Sequence, residues 1–108
     1  MNDLVQKHCV PCEGGVLPLS SVEIAAYQSQ LDQPWDVMDD KKIRRTFSFK
    51  DFKDAMAFVN KIADLAEAEG HHPDLTLHYN KVKVELWTHA VGGLSENDFI
   101  LARKIEAL

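Results

Sequence analysis

Residues 51–73 read DFKDAMAFVNKIADLAEAEGHHP, and this stretch decides the fold because it holds the strongest periodic signal in the chain. Its apolar residues recur at steps of three and four, which is the stripe of an amphipathic helix. The helix is predicted from Asp51 to Glu69, since Gly70 stands where a left-handed C-terminal cap is wanted and Pro73 prevents the helix from resuming. Two adjacent histidines therefore follow the helix end directly. The apolar stripe comprises Ala55, Phe58, Val59, Ile62, Leu65 and Ala66.

A β-hairpin is predicted on each side of this helix. Downstream, apolar residues alternate with polar ones over 75–79 and again over 82–87, about a tight turn at Asn80 and Lys81. Upstream, two strand-like stretches over 35–38 and 42–49 flank the polar turn DDKK.

Capping-box spacing predicts two further helices. Ser20 stands three residues before Glu23 and opens a short helix over 21–31. Ser95 stands three residues before Asp98 and opens the last helix of the chain. The residues before the first helix, 1–20, contain prolines and glycines and are predicted to form an irregular N-terminal arm.

Four strands in two hairpins and three helices predict an α+β fold, most simply a two-layer sandwich. We expect one four-stranded antiparallel sheet with three helices on one face, in a single domain that covers residues 1–108. Trp87 lies on the parity opposite to the apolar face of its strand, so the other face is expected to form a wet groove or a subunit contact. A homo-oligomer is therefore predicted.

The composition excludes several functional classes. The chain has 108 residues, of which 45% are hydrophobic and 27% charged, as in an ordinary globular domain. Its formal net charge of −5 argues against a nucleic-acid partner, because affinity for phosphate backbones depends on clustered Lys and Arg. No apolar run approaches the roughly 20 residues that span a bilayer, so no membrane partner is expected. The start, MNDLVQKHCV, lacks the features of a secretory signal, which predicts a cytoplasmic protein.

Cys9 and Cys12 form a single C-x-x-C preceded by His8. A structural zinc site usually needs a second pair of ligands, and a thioredoxin-like motif follows a strand and opens a helix. Neither context is present. We interpret the pair as reduced thiols on the arm, with zinc binding or redox chemistry as the alternatives.

Three histidines are predicted to meet at one edge of the sandwich. His89 falls at the end of the fourth predicted strand, which can lie beside the helix end that carries His71 and His72. Imidazoles titrate at about pH 6.5 and can both give and take a proton at neutral pH. Glu67, one helical turn before His71, and Asp98, in the first turn of the last helix, are each placed to orient an imidazole. An acid–base site is one interpretation of this group.

Two other interpretations stay open on these residues alone. The paired histidines can be helix-end residues that favour the negative end of the dipole, with Asp98 as a cap and Glu67 as a solvated carboxylate. Three histidines and a carboxylate are also chemically adequate metal ligands. Adjacent residues often point apart, however, and the spacing differs from the H-x-x-x-H of helical zinc sites, so no metal is predicted.

The segment EAEGHHPDLTLHYNKVKVELWTHAVGGLSEND, residues 67–98, resembles the pterin-4a-carbinolamine dehydratases. The resemblance extends upstream through FSFKDFKDAMAFV and covers residues 42–108, while PCEGG resembles the arm of many bacterial members. Two features depart from the animal members, which have an Asp in place of Gly70 and an aromatic stretch in place of DLTL. The family motif is matched by Glu67, His71, His72, Pro73, Tyr79, His89 and Asp98.

The resemblance implies an enzyme that removes water from a 4a-hydroxytetrahydropterin, giving a quinonoid dihydropterin, with no metal or organic cofactor. It implies that His71 and His89 flank the C4a hydroxyl as proton donors and acceptors, with His72 binding substrate or sharing the acid role. Backbone groups of Thr88 and its neighbours would meet the flat pterin ring. Substrate binding is implied for Glu67, Gly70, Pro73, Trp87, Thr88, Ala90 and Asp98.

The resemblance also implies dimers or dimers of dimers, and a place in tetrahydrobiopterin recycling beside an aromatic amino acid hydroxylase. Two alternatives remain. One is a dehydratase-like role in molybdopterin metabolism. The other is a non-catalytic dimerisation cofactor, since animal members also act on a homeodomain transcription factor. The arm sequence CVPCEGG is of the bacterial type, in which that partner is not expected.

Overall fold

The computed structural model describes residues 4–9 and 17–108. The helices are α1 (Ser21–Gln28), α2 (Phe52–Glu69) and α3 (Glu96–Glu106), the strands are β1 (Asp36–Met38), β2 (Lys42–Ser48), β3 (Asp74–His78) and β4 (Lys81–Leu86), and two 3-10 turns span Leu4–Gln6 and His89–Val91. The strands form one antiparallel sheet in the order β1-β2-β4-β3, which confirms the predicted α+β class. No helix in the described ranges is long and apolar enough to cross a bilayer.

The long helix α2 forms as its sequence predicts. The side chain of Asp51 accepts a hydrogen bond from the backbone N–H of Asp54 at 2.8 Å, which satisfies one of the free donors of the first turn. At the other end Gly70 has φ of 67°, and the backbone N–H groups of Gly70 and His71 both donate to the carbonyl of Ala66. This left-handed cap ends the helix and turns the chain toward β3.

The core lies between one face of the sheet and the helices. Along β4, every second residue is fully buried, and the buried Ile43 of β2 stands opposite Leu86. The other face of the sheet carries polar residues such as Arg44, Thr46 and Lys83. The buried residues of β4 are Val82, Val84 and Leu86.

Three local boundaries differ from the sequence prediction. Helix α1 ends at Gln28 because the next residues form tighter turns, in which Leu31 N–H donates to the carbonyl of Gln28. The β3–β4 turn uses Tyr79 and Asn80, with Tyr79 at φ 50°. Strand β4 ends at Leu86, so His89 begins a 3-10 turn and does not end a strand.

The described part of the N-terminal arm is attached to the end of α2. Leu4 is fully buried in the core. The carboxylate of Glu69 accepts the backbone N–H of Cys9 at 2.8 Å, lies 3.1 Å from His8 Nδ1 and lies 3.6 Å from Lys104 Nζ. Burial of Glu69 opposes its ionisation, but these hydrogen bonds and the charge of Lys104 outweigh it and hold its pKa below the ordinary value. The arm therefore packs beside the segment that carries the paired histidines.

Cys9 is a free, half-buried thiol, while Cys12 lies outside the described residues. Burial raises the pKa of the Cys9 thiol to about 12, and the negative charges of Glu69 and Asp98 add to this effect. Only the thiolate is a strong nucleophile, so Cys9 is predicted to be inert in the folded protein.

Alkylation tests this prediction in a Cys12→Ser variant, which leaves Cys9 as the single thiol. At about pH 8, we expect iodoacetamide to label the folded variant at least ~100-fold more slowly than the same variant unfolded in denaturant, measured by mass spectrometry. Equal rates would mean that Cys9 is accessible and ionised.

Candidate active site

A cleft of about 420 Å³ opens where the end of α2 meets the segment after β4. Every residue that the sequence nominated for the site lines this cleft, except Glu67 and Asp98. These two carboxylates contact His72 and His71, respectively. Asp74 and Asn97 line it as well and were missed. Asn97 adjoins the nominated Asp98 in the first turn of α3, and Asp74 follows the motif proline, which were the only signals that the sequence offered.

His71 forms the most buried polar contact of the cleft. Its Nε2 lies 2.6 Å from Oδ1 of Asp98, and the two side chains are 13% and 0% exposed. An ionised carboxylate can only accept hydrogen bonds, so Nε2 carries the proton in this contact. The other ring nitrogen, Nδ1, has no hydrogen-bond partner among the described residues and remains for a ligand.

Asp98 is also bonded on its second oxygen. Thr88 Oγ1 donates to Oδ2 at 2.8 Å, and the backbone N–H of Ser95 donates to the same oxygen at 3.0 Å. Ser95 Oγ lies 2.8 Å from Thr88 Oγ1. A fully buried carboxylate is costly unless donors surround it, and Asp98 has three from separate segments of the chain.

His72 faces the solvent side. Its Nε2 lies 2.5 Å from Oε2 of Glu67, and the two side chains are 60% and 78% exposed. An exposed pair of this kind contributes little to stability, because water screens the charges. The two neighbouring histidines therefore have different environments, one fixed in the interior and one accessible.

His89 lines the same cleft from the 3-10 turn that follows β4. It is exposed, and its ring centroid is 3.7 Å from that of Trp87, at an interplanar angle of 41°. The Nζ of Lys42 is 5.1 Å from the centroid of the same indole, within range of a cation–π contact. Trp87 thus supports the imidazole of His89, as well as lining the cleft.

The turn that carries His89 is closed by backbone hydrogen bonds. Thr88 N–H donates to the carbonyl of Gly93 at 2.8 Å, and the carbonyl of Thr88 accepts from Val91, Gly92 and Gly93. Both backbone groups of Thr88 are thus used within the turn, while its side chain lines the cleft. A Cβ on Gly93 would lie 2.9 Å from Cβ of Pro18, so the close approach of the arm requires a glycine there.

Two observations bear on other chemistries. Within residues 4–9 and 17–108, no group of three or more His, Cys, Asp or Glu side chains is arranged to hold a metal ion. A second cleft, of about 450 Å³, lies along the outer edge of β2 near Arg45, Phe47 and Glu106. Its lining contains no histidine, so the smaller cleft with three imidazoles is the better candidate for proton transfer.

Comparison with known proteins assigns the family. A family model for pterin 4 alpha carbinolamine dehydratase matches residues 17–108. A protein of Alkaliphilus metalliredigens whose name assigns it to the pterin-4-alpha-carbinolamine dehydratases is 51% identical over 106 residues, covering 98% of this chain and 96% of that protein. A protein of the same name from Nitrosospira multiformis is 53% identical over 108 residues, covering 100% and 94%.

A solved structure agrees with these relatives. The crystal structure of a transcriptional coactivator/pterin dehydratase from Brucella melitensis matches with a TM-score of 0.78 and 38% identity, over 83% of this chain and 96% of that chain. The resemblance noted in residues 67–98 is thereby confirmed. The chain belongs to the pterin-4-alpha-carbinolamine dehydratase family.

Proposed function

We propose that this protein removes water from a 4a-hydroxytetrahydropterin, giving a quinonoid dihydropterin, by histidine general acid and base catalysis. Membership of the family supports the reaction. The observation that carries the mechanism is the 2.6 Å contact between His71 Nε2 and the fully buried carboxylate of Asp98. It gives one imidazole of the cleft a fixed tautomer, which proton transfer to a positioned substrate requires.

The reaction needs one proton donor and one proton acceptor. The C4a–O bond breaks, and the departing hydroxyl takes a proton to leave as water. The N5–H proton is lost to a base, and the N5 lone pair forms the N5=C4a bond. Atoms and electrons balance without a metal, an oxidant or an organic cofactor. Two imidazoles that line one cleft from separate segments of the chain are suited to this exchange.

His71 and His89 are the pair that we assign to these roles. His71 offers Nδ1 because Asp98 occupies its other nitrogen. His89 is exposed in the same cleft, and neither of its ring nitrogens has a hydrogen-bond partner among the described residues. His72, oriented by Glu67, binds the substrate or shares the acid role.

The remaining nominated residues form the binding surface. We assign Gly70 and Pro73 to the wall beside the paired histidines, and Trp87 and Ala90 to the wall beside His89. Both walls border a cleft of about 420 Å³, a size within the range of small-molecule sites.

The protein is further proposed to act as one cytoplasmic domain that supplies a pterin to an aromatic amino acid hydroxylase. A single core cluster that runs from Leu4 to Ile105 supports one domain. The free thiol of Cys9 suits a reducing compartment. The coactivator function named in the Brucella melitensis structure belongs to that protein, and no observation favours it, or molybdopterin metabolism, for this chain.

A homodimer or homotetramer is proposed because the sheet has an open edge. Strand β1 pairs only with residues 42–44 of β2, so the outer edge of 45–48 has no strand against it among the described residues. The side chain of Arg45 is held by Glu106 at 2.9 Å, which keeps this edge ordered. An ordered open edge can pair with the same edge of a two-fold-related copy.

Substitution of the two assigned histidines tests the proposed function. His71→Ala and His89→Ala should each lower the dehydration rate by about 10²- to 10⁴-fold, the usual effect of removing a positioned proton-transfer group. Because both act in one step, the double variant should fall well short of the product of the single effects. Appearance of the quinonoid dihydropterin is followed from freshly made substrate, corrected for spontaneous dehydration.

His78→Ala is the matched control, since His78 is an exposed histidine on β3 outside the cleft. It should retain the full rate, and thermal melts should show similar stability for all variants. Dialysis against a chelator should leave the wild-type rate unchanged. Near-native rates in both single variants, or activity that is lost on chelation and restored by zinc, would overturn the acid–base mechanism.

The oligomeric state is tested by light scattering at micromolar concentration. The mass should be two or four times the 12.2 kDa of one chain and should stay constant over a tenfold dilution. A mass of one chain throughout this range would contradict the proposal.

A further inference from the structure

We propose that Ser95 and Thr88 are positioning residues of this site. The hydroxyl of Ser95 donates to that of Thr88, which donates to Asp98, and Asp98 in turn holds the imidazole of His71. This series of hydrogen bonds fixes the carboxylate and thereby the imidazole tautomer that offers Nδ1 to the substrate. The inference rests on the proposed function for its kinetic consequence, but its structural part concerns the free protein alone.

The direction of this series of hydrogen bonds follows from the number of protons. Thr88 Oγ1 lies 2.8 Å from Asp98 Oδ2 and must donate to it, because a carboxylate has no proton to give. A hydroxyl has one proton, so Thr88 Oγ1 accepts in its 2.8 Å contact with Ser95 Oγ. The order is therefore Ser95 to Thr88 to Asp98, and His71 donates to Asp98 from the other side.

This series of hydrogen bonds joins three segments that are separate in the sequence. Thr88 follows β4, Ser95 and Asp98 belong to the start of α3, and His71 follows α2. Thr88 is 5% exposed and Asp98 is fully buried, so water does not compete for these bonds. Each donor that points at the carboxylate limits its rotation, and Oδ1 is left aimed at His71.

A capping role alone does not explain this arrangement. The cap of α3 is a capping box, in which the backbone N–H of Ser95 donates to Asp98 at 3.0 Å and the Ser95 side chain accepts the backbone N–H of Asp98. The hydroxyl of Thr88 adds nothing to that cap. It instead donates to Oδ2 of Asp98, while Oδ1 of the same carboxylate contacts the imidazole. A group that positions His71 through Asp98 must act at this second oxygen.

Loss of the Thr88 hydroxyl has a defined effect on His71. When Thr88 no longer donates to Oδ2, one restraint on the rotation of the Asp98 carboxylate is lost, and Oδ1 holds the Nε2–H of His71 in place less strictly. The single tautomer should then give way to a mixture of both. The other titratable groups at the site, which are left unchanged, are His72, His89, Glu67, Glu69, Asp74, Lys104 and the Cys9 thiol.

The decisive variant is Thr88→Val, which keeps the shape of the side chain and removes the hydroxyl. We expect its kcat to fall by about 10- to 100-fold with KM nearly unchanged, because substrate contacts are kept. NMR of the imidazole, without substrate, should show that His71 loses its single Nε2–H tautomer and populates both neutral tautomers. Thr88→Ser, which retains the hydroxyl, should keep both kcat and the tautomer as in the wild type.

Ser95→Ala provides an independent second variant, with a smaller loss in kcat of about 3- to 10-fold, since it removes the donor one step further away. Its matched control is Ser20→Ala. Ser20 forms the capping box of α1 with Glu23, away from the cleft, so this variant loses a cap without touching the chain of hydroxyls. It should lower the melting temperature and leave both kcat and the His71 tautomer unaltered.

Two results would overturn the proposal. One is a His71 tautomer in Thr88→Val that matches the wild type. The other is a loss of kcat in Ser95→Ala that Ser20→Ala reproduces at equal loss of stability. A wild-type protein with no dehydratase activity would overturn the proposed function instead, while the NMR comparison still decides whether the hydroxyls position His71.

Discussion

The buried carboxylate of Asp98 is the constraint on which the site depends. It lies in the first turn of α3 with no exposed surface, and it is tolerated there because donors reach it from three segments of the chain. These donors are satisfied only if the end of α2 and the turn after β4 both approach α3. The left-handed cap at Gly70 and the tight turn closed by Gly93 allow these approaches. The carboxylate thus links the packing of the sandwich to the chemistry of the cleft.

Much of the architecture could be read from local patterns. The stripe of α2, its cap at Gly70 and the alternation of β4 each report a contact within one element, where sequence spacing sets geometry. The grouping of His71, His72 and His89 in one cleft also followed, since it required only that a helix end lie beside a strand end. The family motif indicated the same residues, because its fixed gaps run from α2 through the β3–β4 hairpin to α3.

Other features depend on contacts that spacing does not encode. Which carboxylate orients which histidine is decided by burial, so Glu67 could not be assigned to His72 in advance. The turn uses the N–H and carbonyl of Thr88, and its side chain donates to Asp98, which no spacing in the sequence indicated. The insertion of Leu4 into the core, far along the chain from its neighbours, gave no periodic signal.

The two adjacent histidines show why the position of the cleft at the sheet edge matters. A histidine keeps one tautomer only when its hydrogen-bond partner is buried, because exposed ion pairs are screened and exchange readily with water. A substrate, in contrast, can reach a histidine only when its side chain is exposed. His71 has the first condition through Asp98, and His72 and His89 have the second. A site wholly inside the core would lose access, and a site on the open face of the sheet would lose the buried carboxylate. The end of a helix that meets the end of a strand provides both conditions within one cleft.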